Sequence, residues 1–239
     1  GFAADNLRKT TNGGTSFFDL TGVGVTGLPG APVNGIAQHP VLLDHLYVGT
    51  DVGVFASEDG GITWSTSNEG PADVSVDEVV FLHNSTTLLL ATHGRGLWTI
   101  DIREPAVAQM GAGCPGTPGV PVLTATAPRL GENITLSCSN LVPGQYGWLV
   151  VGFSNTSWNG NPLPMDLTGL GMPGCLAHSS VDLSEGGFNA SGVLSTSFIW
   201  PALVSTLGST FYAQGLSLDA GANSFGAVAS NGLALTIGN

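Results

Sequence analysis

Short apolar runs with period-two patterning alternate along this chain with turns rich in Gly, Asn, Asp and Pro. One apolar run, Leu46 to Thr50, predicts a β-strand, and the stretch Ser57 to Trp64 that follows is a demanding turn. Asp59 can accept hydrogen bonds from backbone N–H groups that follow it, and Gly60-Gly61 can take positive φ. Ile62 to Trp64 then resumes a β pattern. This stretch therefore predicts strand, hairpin, strand, with the indole locking the turn onto its own sheet.

The same eight residues match the Asp-box, Ser-x-Asp-x-Gly-x-Thr-Trp, at all of its specified positions: Ser57, Asp59, Gly61, Thr63 and Trp64. In families that carry this motif, such as sialidases and sortilin-like receptors, the box forms a hairpin between the outer strands of a propeller blade. The resemblance therefore implies a β-propeller blade, and it implies nothing about catalysis.

A degenerate copy of the box precedes it by 47 positions, with the equivalent residues Thr10, Asn12, Gly14, Ser16 and Phe17. Two further segments recur at similar spacing: 33–37 returns as 76–80, and 49–55 returns as 91–98. A period in the forties with about four short strands per unit is typical of propeller blades.

Residues 1–103 are too short for a closed ring, because they supply about two blades and a propeller needs four or more. Two blades alone would leave sheet edges and a blade face in water. We therefore expect the missing blades to come from an upstream part of a longer chain, or from neighbouring copies through strand addition or stacking.

A Pro/Gly-rich linker over 104–121 marks the predicted domain boundary. Beyond it the β segments lengthen and are separated by turn signals, which predicts a C-terminal immunoglobulin-like β-sandwich over 122–239. The predicted strands cover 122–126, 133–139, 147–153, 194–199, 210–218 and 227–237. The fold class expected for the chain is thus all-β, a partial β-propeller followed by a sandwich.

The amino-acid composition limits the classes of partner that the chain can bind. Charged residues make up 9% of the chain, the net charge is −12, and Arg8, Lys9, Arg95, Arg103 and Arg129 are the whole basic complement. So little positive charge excludes a nucleic-acid partner and disfavours an anionic membrane surface. No apolar run reaches the roughly 18 residues of a membrane span. The sequence starts at Gly1, so we expect either that an export signal has been removed or that this is a segment of something longer.

The three cysteines have no Cys-x-x-Cys spacing and no nearby His pair, which makes a zinc site improbable. One disulfide and one leftover thiol is the simplest arrangement in an exported chain. Cys138 lies in an alternating strand pattern, whereas Cys114 and Cys175 lie in Gly/Pro loops and are the better pair. Asn-x-Ser/Thr triplets make candidate glycosylation sites of Asn84, Asn133, Asn155 and Asn189.

Residues 110–239 show a second resemblance. Segments such as 111–116, 149–158, 162–167, 171–175, 211–214 and 230–235 are similar to the C-terminal domain of many exported proteins from planctomycete-type bacteria. The resemblance implies export, a true C-terminus near Asn239 and a Cys114–Cys175 bridge. It implies no catalytic residue.

The sharpest enzymatic hypothesis is a sialidase-like glycosidase, which needs three arginines on a substrate carboxylate together with a Tyr-Glu pair. The first hundred or so residues offer Arg8, Arg95, Arg103 and Tyr47, while most of the ring is absent, so we expect no catalysis. The loop 93–96 is either an anion-binding loop or, as we favour, a strand-connecting turn in which His93 replaces the Asp51 of the preceding repeat.

Two other binding chemistries are open to this sequence. Several acidic residues could contribute to a calcium site: Glu58, Asp59, Asp73, Asp77 and Glu78. No Asp-x-Asp-x-Asp-Gly spacing is present, however, and solvated side chains are the simpler interpretation. Trp158 could stack on a sugar or could equally cover one end of the sandwich core.

The favoured interpretation is a non-catalytic, exported structural protein without cofactor or metal, which assembles from its own copies at or outside the cell surface, head-to-tail into a filament or layer. The alternative is a fragment of a longer secreted propeller protein that binds carbohydrate or protein. A sialidase-like glycosidase fragment is the weakest. Additional Asp-boxes upstream would favour the longer propeller protein. An added cluster of arginines with a Tyr-Glu pair would favour the glycosidase fragment.

Overall fold

The computed structural model describes residues 7–65, 70–71, 73–83 and 85–239 of the chain. Every named sheet is antiparallel, and the only helical elements in these residues are three short 3₁₀ turns. The chain divides after Ile102 into two compact units. The 3₁₀ turns cover Gly24–Thr26, Thr168–Leu170 and Val204–Thr206.

The first unit contains a two-stranded ribbon, β1-β2, and two three-stranded sheets, β3-β4-β5 and β6-β7-β8. Its strands are β1 (Arg8–Lys9), β2 (Phe18–Asp19), β3 (Val33–Gln38), β4 (Leu46–Thr50), β5 (Gly53–Ser57), β6 (Val76–Phe81), β7 (Thr87–Thr92) and β8 (Gly96–Asp101). Both three-stranded sheets have the same strand order and a register shift at the same place, between Val33 and Gly35 in one and between Val76 and Glu78 in the other.

The two three-stranded sheets share one apolar core. Because directly paired strand residues point to the same face, one face of the first sheet carries Tyr47 and Val54, and these pack with Val79, Leu88 and Leu90 of the second sheet. The opposite face of the first sheet packs into a separate apolar cluster. Its buried residues are Leu28, Leu46, Val48, Phe55 and Trp64.

Two features of the first unit differ from expectation. Residues 58–65 contain no strand, so the prediction that Ile62 to Trp64 resumes a β pattern is wrong. The physical reason is that the Asp59 carboxylate binds the backbone N–H groups of Ile62 and Thr63, which removes them from any ladder. Each of the two sheets has three strands in the described residues, and not about four per unit as expected.

The second unit is built from a three-stranded sheet, β10-β11-β18, and a five-stranded sheet, β17-β12-β19-β20-β9. Its long strands are β9 (Ala106–Met110), β10 (Val122–Ala125), β11 (Asn133–Ser139), β12 (Tyr146–Gly152), β17 (Leu183–Phe188), β18 (Leu194–Ile199), β19 (Thr210–Leu218) and β20 (Ala227–Thr236). Two small ribbons complete it: β13 (Ser157–Trp158) with β14 (Asn161–Pro162), and β15 (Met165–Asp166) with β16 (Leu176–Ala177).

The main core of the second unit draws on both of these sheets. Ile134 and Leu136 from β11 pack with Leu149, Phe211 and Leu235 from the larger sheet, and all five are buried. Asn231 ties the layers together at one side, since its side chain accepts a hydrogen bond from the Leu123 N–H and donates one to the Leu123 carbonyl. A buried amide paired in this way copies a backbone ladder step.

Six strands predicted from the sequence of this unit are confirmed to within one residue at their ends. The segment 104–121, however, is more than a linker, because β9 within it pairs with β20 at the edge of the larger sheet. The strand β17 was not expected from its Ser184-Glu185-Gly186-Gly187 run. Gly186 is required there by close packing, since a Cβ would lie 2.6 Å from the Tyr146 hydroxyl oxygen.

Cys114 and Cys175 form the disulfide that the sequence favours, and Cys138 is a buried free thiol. Burial raises the pKa of the Cys138 thiol to about 12, because the thiolate would lose its hydration. The loop after Cys114 is held by Asp219, whose two carboxylate oxygens accept hydrogen bonds from the Thr117 N–H and hydroxyl, each at 2.6 Å.

Candidate functional site

The Asp-box residues form a closed hydrogen-bonded turn after β5. Asp59 Oδ1 accepts from the N–H groups of Ile62 and Thr63 at 3.0 and 2.9 Å, and Oδ2 accepts from the Thr63 hydroxyl at 2.6 Å. Ser57 Oγ donates to Asp59 Oδ1 at 2.8 Å and accepts from the Gly61 N–H at 2.9 Å. Desolvation opposes the charged form of Asp59, but the hydrogen bonds from Thr63, Ser57 and Ile62 outweigh it and lower the pKa to about 2.

The degenerate box at 10–17 repeats this arrangement. Asn12 Oδ1 accepts from the Ser16 N–H at 2.9 Å and from the Thr10 hydroxyl at 3.0 Å, and the Gly14 N–H donates to Thr10 Oγ1 at 2.9 Å. The one reversal is at Ser16, whose hydroxyl accepts a hydrogen bond from Asn12 Nδ2 at 2.8 Å. An amide with one donor and one acceptor end therefore replaces the carboxylate without loss of the turn.

The two turns differ in how their aromatic residue is used. Trp64 is 3% exposed, and its indole N–H donates to the Leu20 carbonyl at 2.8 Å. The equivalent residue of the first box, Phe17, is 57% exposed. Gly61 explains the close fit of the second turn, because a Cβ there would lie 2.9 Å from Leu20 Cδ1. The Asp-box turn thus holds together two segments that are far apart in sequence, and this role is structural.

One face of the sheet β6-β7-β8 points away from the core of the first unit. Pairing places Val80, Leu89 and Thr99 in one row of that face, and Glu78, Ala91 and Leu97 in the next. We call these six residues the open face. Leu97 on β8 is 70% exposed and Val80 on β6 is 42% exposed, so this sheet face presents large apolar side chains to solvent.

The corresponding face of the first sheet is covered by the second sheet. Its matching row is Gly35, Gly49 and Val54, where the second sheet has Glu78, Ala91 and Leu97. A Cβ at Gly49 would lie 2.8 Å from Val79 Cγ2, so the glycine permits the close approach of the second sheet. Glu78 and Ala91 prevent an equally close approach to the open face.

The second unit has a polar, concave site at one end, which we call the Trp158 pocket. Its volume is about 430 Å³, and its lining residues are Phe153, Ser154, Ser157, Trp158, Asn159, Ser180, Val181 and Asp182. Trp158 is half-buried and stands beside a tight turn, in which Asn159 and Gly160 both have positive φ, at 48° and 82°. Positive φ at both positions is the geometry of a two-residue ribbon turn.

Asp182 is the fixed acid of the Trp158 pocket. Its Oδ2 accepts from the Phe153 N–H at 2.7 Å and from the Ser180 hydroxyl at 2.6 Å. The hydrogen bond from Ser180, followed by that from Phe153, lowers the pKa of Asp182 below its usual value. Asp182 is therefore a carboxylate at neutral pH, and no hydrogen bond to its Oδ1 is found among the described residues.

An apolar cleft lies next to the Trp158 pocket, and Phe153 lines both. It has a volume of about 360 Å³ and opens between the edge strands β17 and β18, with Leu183 and Ile199 exposed at 61% and 63%. Glu185 points inward there and accepts a hydrogen bond from the Thr196 hydroxyl across the gap. Inward-facing charge of this kind protects a sheet edge against unwanted pairing.

Other candidate residues are not gathered into sites. His93 begins the turn between β7 and β8, as the favoured interpretation predicts, and its Nδ1 lies 3.7 Å from Asp77 Oδ2. Arg103 belongs to the second unit, where its guanidinium packs against Gly208, whereas Arg8 and Arg95 belong to the first. Within the described ranges no three His, Cys, Asp or Glu side chains come together as metal ligands.

The candidate glycosylation sites differ in exposure. Asn133 is exposed and Asn155 is half-buried, while Asn84 lies outside the described residues. Asn189 is wrong as a glycan acceptor, since it is 1% exposed and its amide donates to the carbonyls of Val142 and Gln145. It is a turn residue instead, and its Oδ1 also accepts from the Gly192 N–H.

Sequence reasoning found Trp158 but missed the rest of its pocket. A usable signal was present, because Ser180-Val181-Asp182 repeats the Ser-x-Asp spacing of Ser57-Glu58-Asp59. In both places the serine hydroxyl donates to the aspartate, and the aspartate binds backbone N–H groups. Phe153 could not be found this way, because its role depends on how β12 and β17 pair.

Comparison with known proteins adds no family assignment: no protein-family model matches the chain, and no curated protein matches it significantly. In the part of the chain that the structure describes, none of the helical turns is long or apolar enough to cross a membrane.

Proposed function

We propose that this chain is a non-catalytic, exported structural protein that self-assembles, with Asp-box propeller-type blades in its first unit and an immunoglobulin-like sandwich in its second. The observation that carries the proposal is the open face of the sheet β6-β7-β8. The matching face of the preceding sheet is buried by its neighbour, whereas Leu97 on the open face is 70% exposed.

The blade interpretation is supported by the likeness of the two three-stranded sheets. They share strand order, the position of the register shift and the rows of facing residues. Two Asp-box turns with matching hydrogen bonds add to this likeness. A blade buries one face against each neighbour, so a set that stops at two leaves a face to be covered by something else.

The covering partner in this proposal is a second copy of the chain. Low charge content favours contacts between copies, because only 9% of residues are charged and few charges need to be desolvated. Glu78 and Ala91 stand where Gly35 and Gly49 allow close packing in the first sheet, so the joint between copies is wider than the joint between sheets within one copy. A head-to-tail contact that does not close gives a filament.

An exported location is proposed on the basis of the Cys114–Cys175 disulfide, since such bonds persist in oxidising compartments. The absence of catalysis is proposed because the three arginines of a sialidase-like clamp are divided between the two units.

The test is a charge placed on the open face. Leu97→Glu should reduce the particle mass of the native protein in sedimentation velocity experiments, since a carboxylate would be buried at the joint. Leu170→Glu is the matched control, because Leu170 is 58% exposed, belongs to the second unit and is not one of the open-face residues. Equal particle masses for wild type, Leu97→Glu and Leu170→Glu would refute the joint.

A further inference from the structure

We infer that the Trp158 pocket is a binding site for a neutral carbohydrate. This inference is independent of the proposed assembly, because it rests on side chains of the second unit alone. The chemistry is that of a half-buried indole beside a fixed hydrogen-bond acceptor and several hydroxyl and amide groups.

The stacking surface comes from Trp158 and Phe153. Trp158 lies at the end of the β13-β14 ribbon, where it pairs with Asn161, and Phe153, which lines the same pocket, is 57% exposed. The C–H face of a pyranose ring packs well on such aromatic surfaces, because they are apolar and rigid. A volume of about 430 Å³ is within the range of small-ligand sites.

Directional recognition comes from Asp182. Its Oδ2 is held by Phe153 and Ser180, which fixes the plane of the carboxylate and leaves Oδ1 for a ligand. A carboxylate accepts hydrogen bonds and donates none, so it suits the hydroxyl groups of a sugar. Ser157 and Asn159 add groups that can both donate and accept, at the rim of the same pocket.

Charge narrows the class of sugar. Among the described residues no Lys, Arg or His lines the pocket, and the chain as a whole carries a net charge of −12. An anionic sugar such as a uronic or sialic acid would meet Asp182 with no counter-charge. Asp182 is also the sole acidic residue of the lining in the part of the chain that the structure describes, and one carboxylate supplies too few oxygen ligands for a calcium-dependent lectin site.

The experiment uses the full chain and a panel of defined probes. Saturation-transfer NMR and calorimetry would be run with cellotriose, maltotriose, mannotriose and tri-N-acetylchitotriose as neutral probes, with trigalacturonic acid and sialyllactose as anionic ones. Tetramethylammonium tests the competing possibility that an aromatic and acidic pocket binds an organic cation. We expect at least one neutral trisaccharide to bind with a Kd below about 1 mM, which is a modest affinity, and neither an anionic sugar nor tetramethylammonium to bind.

Three variants locate the site. Trp158→Ala should weaken binding by about tenfold or more, through loss of stacking. Asp182→Asn can still accept from Phe153 and Ser180 through its carbonyl oxygen, but it presents an NH₂ group to the ligand, so affinity should fall by a similar factor while the fold is kept. Trp148→Ala is the matched control, because Trp148 is 36% exposed on the same unit and does not line the pocket.

The site would be established if Trp148→Ala binds the trisaccharide as wild type does, while Trp158→Ala and Asp182→Asn both lose affinity for it. The inference is overturned if no neutral trisaccharide binds, if tetramethylammonium or an anionic sugar binds in its place, or if Trp158→Ala binds as well as wild type.

Discussion

The effect of replacing Asp59 can be predicted from the degenerate box at 10–17, where Asn12 occupies the equivalent position. Asp59→Ala removes the acceptor for the N–H groups of Ile62 and Thr63 and for the hydroxyls of Thr63 and Ser57. Ser57 is 3% exposed, so its hydroxyl cannot turn freely to water, whereas Ile62 and Thr63 are exposed. We expect the free energy of unfolding of the first unit to fall by about 2 kcal/mol.

Asp59→Asn should be much milder. In the turn at 10–17, Asn12 already accepts from the Ser16 N–H and the Thr10 hydroxyl, with the Ser16 hydroxyl reversed to accept from its amide. Thr63 can reverse its hydroxyl in the same way, so the expected loss is less than about 1 kcal/mol.

The pH dependence separates charge from hydrogen bonding. The folded-state pKa of Asp59 is lowered from 3.8 to about 2, so its stabilisation is fully present above the unfolded pKa and is lost as pH falls through the folded pKa. Because this carboxylate is exposed, solvent screening reduces the loss to about 1 kcal/mol between pH 4 and pH 2. Asp59→Asn should lack this component.

The assay is urea unfolding of the full chain followed by hydrogen exchange and mass spectrometry, with peptides from 7–65 reporting on the first unit. An Asp59→Ala variant whose free energy of unfolding lies within about 0.5 kcal/mol of wild type would refute the structural role of this carboxylate, because that is the range of a neutral surface change. A pH 4 to pH 2 loss in Asp59→Asn equal to that of wild type would also refute it.

Further predictions concern packing and the cysteines. Gly49→Ala should destabilise the first unit by more than about 1 kcal/mol in the same assay, because its Cβ would lie 2.8 Å from Val79 Cγ2, while Gly30→Ala, with nothing within 4 Å, should be neutral. Replacing both Cys114 and Cys175 by Ala should lower the unfolding free energy of the second unit by up to about 4 kcal/mol, from the 61-residue separation that the disulfide closes; an unchanged urea midpoint would contradict this. Cys138 should resist a thiol-specific chromogenic reagent in the native protein at pH 8, since its pKa is raised to about 12, and should react after denaturation; rapid native reaction would show that the thiol is accessible.

Local chemistry accounts for what could be predicted from the sequence. Alternating apolar residues located β11, β18 and β19 at their observed ends, and loop context favoured the correct cysteine pair. The Asp-box residues were found because the turn depends on side chains a few residues apart. These signals are all contained within short segments.

Long-range packing accounts for what could not. The strand β17 carries Glu185, Gly186 and Gly187 in place of β-favouring residues, and it forms because it pairs with β12 and leaves room for Tyr146. Asn189 matched a glycosylation pattern, and only the fold shows that its amide is buried in a turn. The Trp158 pocket likewise joins 153–159 to 180–182, which no local pattern relates.

The mass of the native wild-type particle decides whether copies of the chain assemble. Light scattering on non-denatured protein, with negative-stain microscopy of the heaviest fraction, would give both mass and form. We expect regular polymers whose mass is a multiple of 24.2 kDa. A uniform monomer of 24.2 kDa would contradict this expectation, and the open face would then have to be covered by further blades or by another protein.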